Sequence, residues 1–92
     1  MTINIPYNSA TNKDDAYNAV RSAITPELLA KWQVKANIEY NEYNMTAKGS
    51  GFALNVDFLE DHCVVSLKLN LLLKPLQGKI AEGIEKQFKR VL

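Results

Sequence analysis

Residues 34–70 read VKANIEYNEYNMTAKGSGFALNVDFLEDHCVVSLKLN, four runs of alternating apolar and polar residues separated by pairs of turn-forming residues. The apolar parity flips at each turn. Val34, Ala36, Ile38 and Tyr40 are even; Tyr43, Met45 and Ala47 are odd; Phe52, Leu54, Val56 and Phe58 are even; Cys63, Val65, Leu67 and Leu69 are odd. Side chains alternate across a strand, so an antiparallel meander with two-residue loops keeps one face apolar only when parity switches at every loop. With loops at Asn41-Glu42, Gly49-Ser50 and Glu60-Asp61, Ile38 is expected opposite Met45, Ala47 opposite Phe52, and Val56 opposite Val65. The other face carries Lys35, Asn37, Glu39, Asn44, Thr46, Lys48, Asn55, Asp57, Val64, Ser66 and Lys68. That face meets water, and helices must cover the apolar one.

Outside the meander, residues 2–6 alternate around Ile3 and Ile5 and end on a proline, which predicts a short first strand, placed beside the last meander strand. Asn8, Ser9, Thr11 and Asn12 precede Asp14 and Asp15, the signature of a capped helix starting near Asn12. Ala16, Ala19, Val20, Ala23 and Ile24 give that helix a narrow stripe of mostly small residues. Thr25-Pro26-Glu27 is a second helix-start signal, so the helix breaks there and a short piece carrying Leu28, Leu29 and Trp32 leads into the meander. After Asn70 the period changes to about 3.6, with Leu73, Leu76, Ile80, Ile84, Phe88 and Val91 forming the apolar stripe of a long closing helix. Gly78 and Gly83 each cost roughly 1 kcal/mol there, which predicts close approach to another backbone or an adjusting helix. The fold expected is a single α+β domain over residues 1–92, with element order β-α(broken)-β-β-β-β-α and the helices on one face of an antiparallel sheet.

The chain has 92 residues, 11 Lys plus Arg against 10 Asp plus Glu, and a net charge of +1. Such a balance provides no broad field for holding nucleic acid. A single cysteine forms no internal disulfide, and Cys63 falls on the apolar parity, where a buried reduced thiol suits a cytoplasmic location. The N-terminus lacks a basic region followed by a long apolar stretch, and Leu71, Leu72 and Leu73 are too few to span a bilayer.

The reactive side chains do not converge. His62 and Cys63 are adjacent in a strand and point to opposite faces, which argues against a thiol-imidazole pair. A lone histidine with scattered carboxylates has no metal-ligand spacing, and Gly49-Ser50-Gly51 joins two strands rather than opening a helix as a phosphate loop would. Tyr40, Tyr43, Phe52 and Phe58 lie on the covered parity, so they read as core rather than as a stacking platform for single-stranded nucleic acid. No catalytic, cofactor or metal site is therefore expected. Trp32 is either a plug at the edge of the core or one wall of a cleft. Leu72, the leucine hardest to place in the core, marks with Val64, Leu71 and Leu73 a candidate partner surface.

The run Ala47-Lys48-Gly49-Ser50-Gly51-Phe52, then Val56, Asp61-His62-Cys63-Val64-Val65, Leu67, Leu69 and Leu71-Leu72-Leu73-Lys74-Pro75-Leu76, leading to Lys79-Ile80 and Ile84, resembles the small polyhydroxyalkanoic acid system proteins of bacteria. The likeness is clearest over residues 45–92. It implies association with polyester storage granules or acyl-chain metabolism, without a defined catalytic activity or cofactor. The last helix lying across an antiparallel sheet also looks like a reduced helix-grip module. The reading that follows is a non-enzymatic accessory protein binding an apolar surface, an acyl ligand or a protein partner. A competing reading is a small carrier or enzyme with a cleft between the closing helix and the sheet near Trp32, Met45, Leu54 and Phe88. A third is a structural homo-oligomer. A packed interior with exposed leucines would favour surface association, and an apolar cavity of a few hundred Å³ would favour a carrier.

Overall fold

Alternation of apolar and polar residues builds one antiparallel sheet from β1 (Thr2–Pro6), β2 (Ala36–Asn41), β3 (Asn44–Gly49), β4 (Phe52–Phe58) and β5 (His62–Leu69), in the order β1-β5-β4-β3-β2. The structure, a computed structural model, describes residues 2–25, 27 and 36–92. Pro26, Leu28, Leu29 and Trp32, on which the expected second helical piece rests, lie outside the described residues. The chain is an α+β fold, with α1 (Lys13–Ala23) between β1 and β2 and α2 (Gln77–Val91) after β5.

The first strand lies beside β5 as expected, Ile3 opposite Val65 and Ile5 opposite Cys63. Val56 lies opposite Val65, also as expected. The other two hairpins turn one residue later than the sequence reading places them. Ile38 faces Ala47 and Tyr40 faces Met45, around a Glu42-Tyr43 turn. Both turn residues have positive φ, 45° and 62°, as a type I′ loop requires. Tyr43 thereby leaves the ladder, and its hydroxyl donates to the Asp14 carboxylate of α1. Ala47 faces Leu54 and Gly49 faces Phe52, around Ser50-Gly51. Here Gly51 takes the positive φ of 88°, and a Cβ on it would lie 2.7 Å from the Asn70 side chain. Each shift moves the pairing by two residues, so the faces are unchanged. Met45, Ala47, Leu54, Val56, Phe58, Cys63, Val65 and Leu67 are all buried on the inner side.

Asn12 caps α1, its side-chain oxygen accepting from the Asp15 N–H at 2.9 Å. Ala16, Val20 and Ile24 of the anticipated stripe are buried. The helix is anchored by Tyr17, whose ring meets Tyr40, Tyr43 and Phe58 edge-on at 5.5–5.8 Å. The Tyr40 hydroxyl donates to the Ile24 carbonyl at 2.9 Å, satisfying a carbonyl just past the end of α1. At the other end of the chain, Asn70 starts the turn into α2, its carbonyl accepting from Leu73 and Lys74 and its side chain from Leu73. Pro75 sits in a 3₁₀ turn, Lys74–Leu76, before the regular helix begins at Gln77. The carbonyl of Leu92 accepts the backbone N–H groups of Asn8, Ser9 and Ala10 at 2.6, 2.5 and 2.9 Å, tying the end of α2 to the loop before α1. Glu82–Lys86 and Glu85–Lys89 pairs lace the solvent side.

Among the described residues neither helical glycine approaches another backbone. A Cβ at Gly78 or Gly83 meets nothing within 4 Å. This differs from the close packing that their cost in a helix implies, and at Gly83 the empty space belongs to a groove.

Candidate functional site

Spacing along α2 sorts its side chains into two adjacent rows, because residues four apart stack on one side of a helix. Ile80, Ile84 and Phe88 form the row aimed at the sheet, and Lys79, Gly83 and Gln87 form the row beside it. Below them lie Met45, Ala47, Phe52, Leu54, Leu67 and Leu69, with Ile24, Leu73 and Leu76 at the sides. Together these residues enclose a groove of about 530 Å³, within the roughly 300–1,000 Å³ of ordinary small-ligand pockets. Its α2 wall is Ile80, Ile84 and Phe88, and beside them Gly83 contributes no side chain to fill the space. Ile80, Ile84, Phe52 and Leu69 consequently stay only half-buried. The Phe88 and Met45 end is closed, at 1% and 0% exposure, whereas Lys79 stands in solvent.

Met45, Leu54 and Phe88 all line this groove, and Trp32 lies outside the described residues. The rest of the lining lies outside the cleft that the sequence reading names, and of it Lys79, Gly83 and Gln87 fall on no apolar stripe. Their i, i+4, i+8 spacing is visible in the sequence, but the cost of a glycine in a helix points there to close backbone approach or an adjusting helix, not to a groove.

The four residues of the candidate partner surface separate. Leu71 and Leu72 are 83% and 84% exposed on the connection from β5 to α2. Leu73 turns inward and lines the groove. Val64 lies on the open side of the sheet between Asn4 and Asp57, five strand positions before Leu69 and thus about 17 Å back along β5. What remains exposed together is Leu71 and Leu72, with Leu76 at 47%. Residues 62–81 contain Lys68, Lys74 and Lys79 and no acidic residue, so the connection is apolar and cationic at once.

Reactive groups elsewhere are held in structural roles. Cys63 is buried in the core, and burial pushes its thiol up to about 12. His62, on the opposite side of the strand, bonds through Nδ1 to Asp61 at 2.6 Å, and that bond holds the Asp61 carboxyl below its usual range. Burial raises the Tyr40 phenol to about 12 and raises that of Tyr7, whose hydroxyl donates to the Leu59 carbonyl at 2.6 Å. The hydrogen bond to Asp14 raises Tyr43. Asn44, Asn55 and Asp57 bond to one another on the open sheet face. Among the described residues no three His, Cys, Asp or Glu side chains gather as a metal site would require. No described helix is long and apolar enough to cross a membrane.

Sheet, helices and groove define a small α+β domain with an apolar recess between its last helix and its sheet. The chain belongs to the polyhydroxyalkanoic acid system protein family, whose family model matches residues 3–92. No curated protein and no solved structure matches it.

Proposed function

We propose that this protein is a non-enzymatic accessory of the polyhydroxyalkanoate system that works in the cytoplasm by docking onto the polyester granule surface. The observation that carries the reading is the pair Leu71 and Leu72, more than four-fifths exposed in a stretch that has lysines and no acids. Full burial of a leucine contributes about 1.5–3 kcal/mol, so the two together supply about 3–6 kcal/mol toward attachment. Lys68 and Lys74 flank the pair in sequence and suit an interface bearing anionic groups. Membership of the family supports the polymer as the apolar partner.

The test is localisation of a fluorescent fusion in granule-rich cells, comparing the intact chain with Leu72→Glu. The intact chain rings the granules and the variant spreads through the cytoplasm. Equal, diffuse signal from both refutes the reading.

The groove favours a second reading, a carrier of an apolar ligand. Exposed leucines and an apolar recess occur on the same molecule, so the two features are tested separately.

A further inference from the structure

The recess under α2 has one open, charged end and one closed, apolar end, and this asymmetry specifies an occupant. At the open end stands Lys79, which like Lys48, Lys68 and Lys74 is in none of the ion pairs found among the described residues, and which is the lysine among these that lines the groove. At the closed end, Phe88 and Met45 are buried. Between them Gly83 leaves a notch in which a Cβ would touch nothing within 4 Å. Eight residues of helix separate Lys79 from Gln87, about 12 Å at 1.5 Å per residue. A zigzag of carbon-carbon bonds about 1.5 Å long needs on the order of ten carbons to run that distance.

We infer that the groove binds one linear aliphatic monocarboxylate of about ten carbons, its carboxylate at the Lys79 ammonium and its chain running past Gly83 toward Phe88 and Met45. A carboxylate complements the Lys79 ammonium, and among the described residues the lining beyond it offers a chain no polar side chain except Gln87. Gly83 acts as the specificity element, because any larger side chain there would project into the space the chain uses. This inference stands beside the surface-docking reading and does not depend on it.

Titration calorimetry of the full chain with decanoate, below its micellar concentration, tests it. Decanoate binds saturably at one molecule per chain. Each methylene buried is worth about fourfold in affinity, so octanoate binds about 15-fold more weakly, while tetradecanoate gains little once the groove is full. Decanol binds about two- to fivefold more weakly than decanoate, the range for an exposed ion pair, and Lys79→Met removes that preference. Gly83→Leu lowers decanoate affinity at least tenfold while circular dichroism and melting show a folded chain. Leu72→Glu leaves decanoate binding unchanged. Absence of saturable binding, a chain-length dependence that never levels off, unchanged binding in Gly83→Leu, or loss of binding in Leu72→Glu would each overturn the inference. Failure to bind decanoate with granule localisation intact would leave the surface-docking reading standing.

Discussion

Replacing Gly83 by alanine is expected to stabilise the protein, contrary to the usual effect of substitution at a partly buried site. Gly83 lies inside α2, where glycine gives up more backbone freedom on folding than alanine does. Alanine recovers about 0.5–1 kcal/mol at such a position, provided that the methyl group fits. The structure supplies that condition, since a Cβ at Gly83 meets nothing within 4 Å and no overpacking cost offsets the gain. In a domain of this size 1 kcal/mol moves the melting temperature by about 4–8 °C, so Gly83→Ala should raise it by about 2–8 °C. Far-UV circular dichroism melts, paired with urea unfolding, measure the effect, and the urea slope should stay constant because the surface exposed on unfolding scarcely changes. Gly78→Ala serves as the comparison. It has equal space but sits in the first turn of α2, where part of the helical restraint is absent, so its gain is smaller. A loss of 1 kcal/mol or more in Gly83→Ala would show that a neighbour presses on that side of the helix, and the groove as described would not exist.

Tyr17→Ala should cost about 3 kcal/mol in urea unfolding, because the ring makes edge contacts with Tyr40, Tyr43 and Phe58 that hold α1 on the sheet; Tyr17→Phe should cost under about 1 kcal/mol. Stability should fall as the pH rises above about 9. The folded Cys63 thiol keeps its proton up to about 12 while the unfolded thiol releases it near 9.0, so deprotonation favours the unfolded chain across that window. Tyr40, raised from 10.0 to about 12, extends the loss from pH 10 upward, and Cys63→Ala should remove the part that begins near 9. Leu72→Glu should leave the melting temperature within the change that about 0.5 kcal/mol produces, because Leu72 is 84% exposed, so any loss of granule attachment in that variant reports on the surface rather than on the fold.

The facing of every described meander strand follows from parity alone, because a period of two leaves each residue only two choices of side. Loop position does not follow from parity, since a shift of two residues in pairing preserves the faces. Tertiary contacts decide it instead: Tyr43 moves into the turn where its hydroxyl meets Asp14, and Gly51 takes the positive φ beside Asn70. Met45, Leu54 and Phe88 could be assigned to the space between α2 and the sheet because each sits on the inward stripe of its element. The Lys79, Gly83 and Gln87 row could not, because a glycine in a helix looks the same in sequence whether it admits a backbone or an empty groove. Leu73 belongs in the sequence both to the apolar stripe of the closing helix and, by adjacency, to the Leu71 and Leu72 surface; the structure takes it inward with the stripe, before the 3₁₀ turn around Pro75, while Leu71 and Leu72 face solvent. The Tyr17 contacts were also missed, since an aromatic among alanines carries no period of its own.

The most direct test of the central claim, that Leu71 and Leu72 attach the folded chain to polyester without catalysis, is cosedimentation of the purified protein with protein-free polyhydroxyalkanoate particles. The account predicts that the wild-type chain pellets saturably, releases no soluble monomer from the polymer, and stays in the supernatant when Leu71 and Leu72 are both changed to glutamate. Equal pelleting of wild type and the double variant, or wild-type protein remaining in the supernatant, would contradict it.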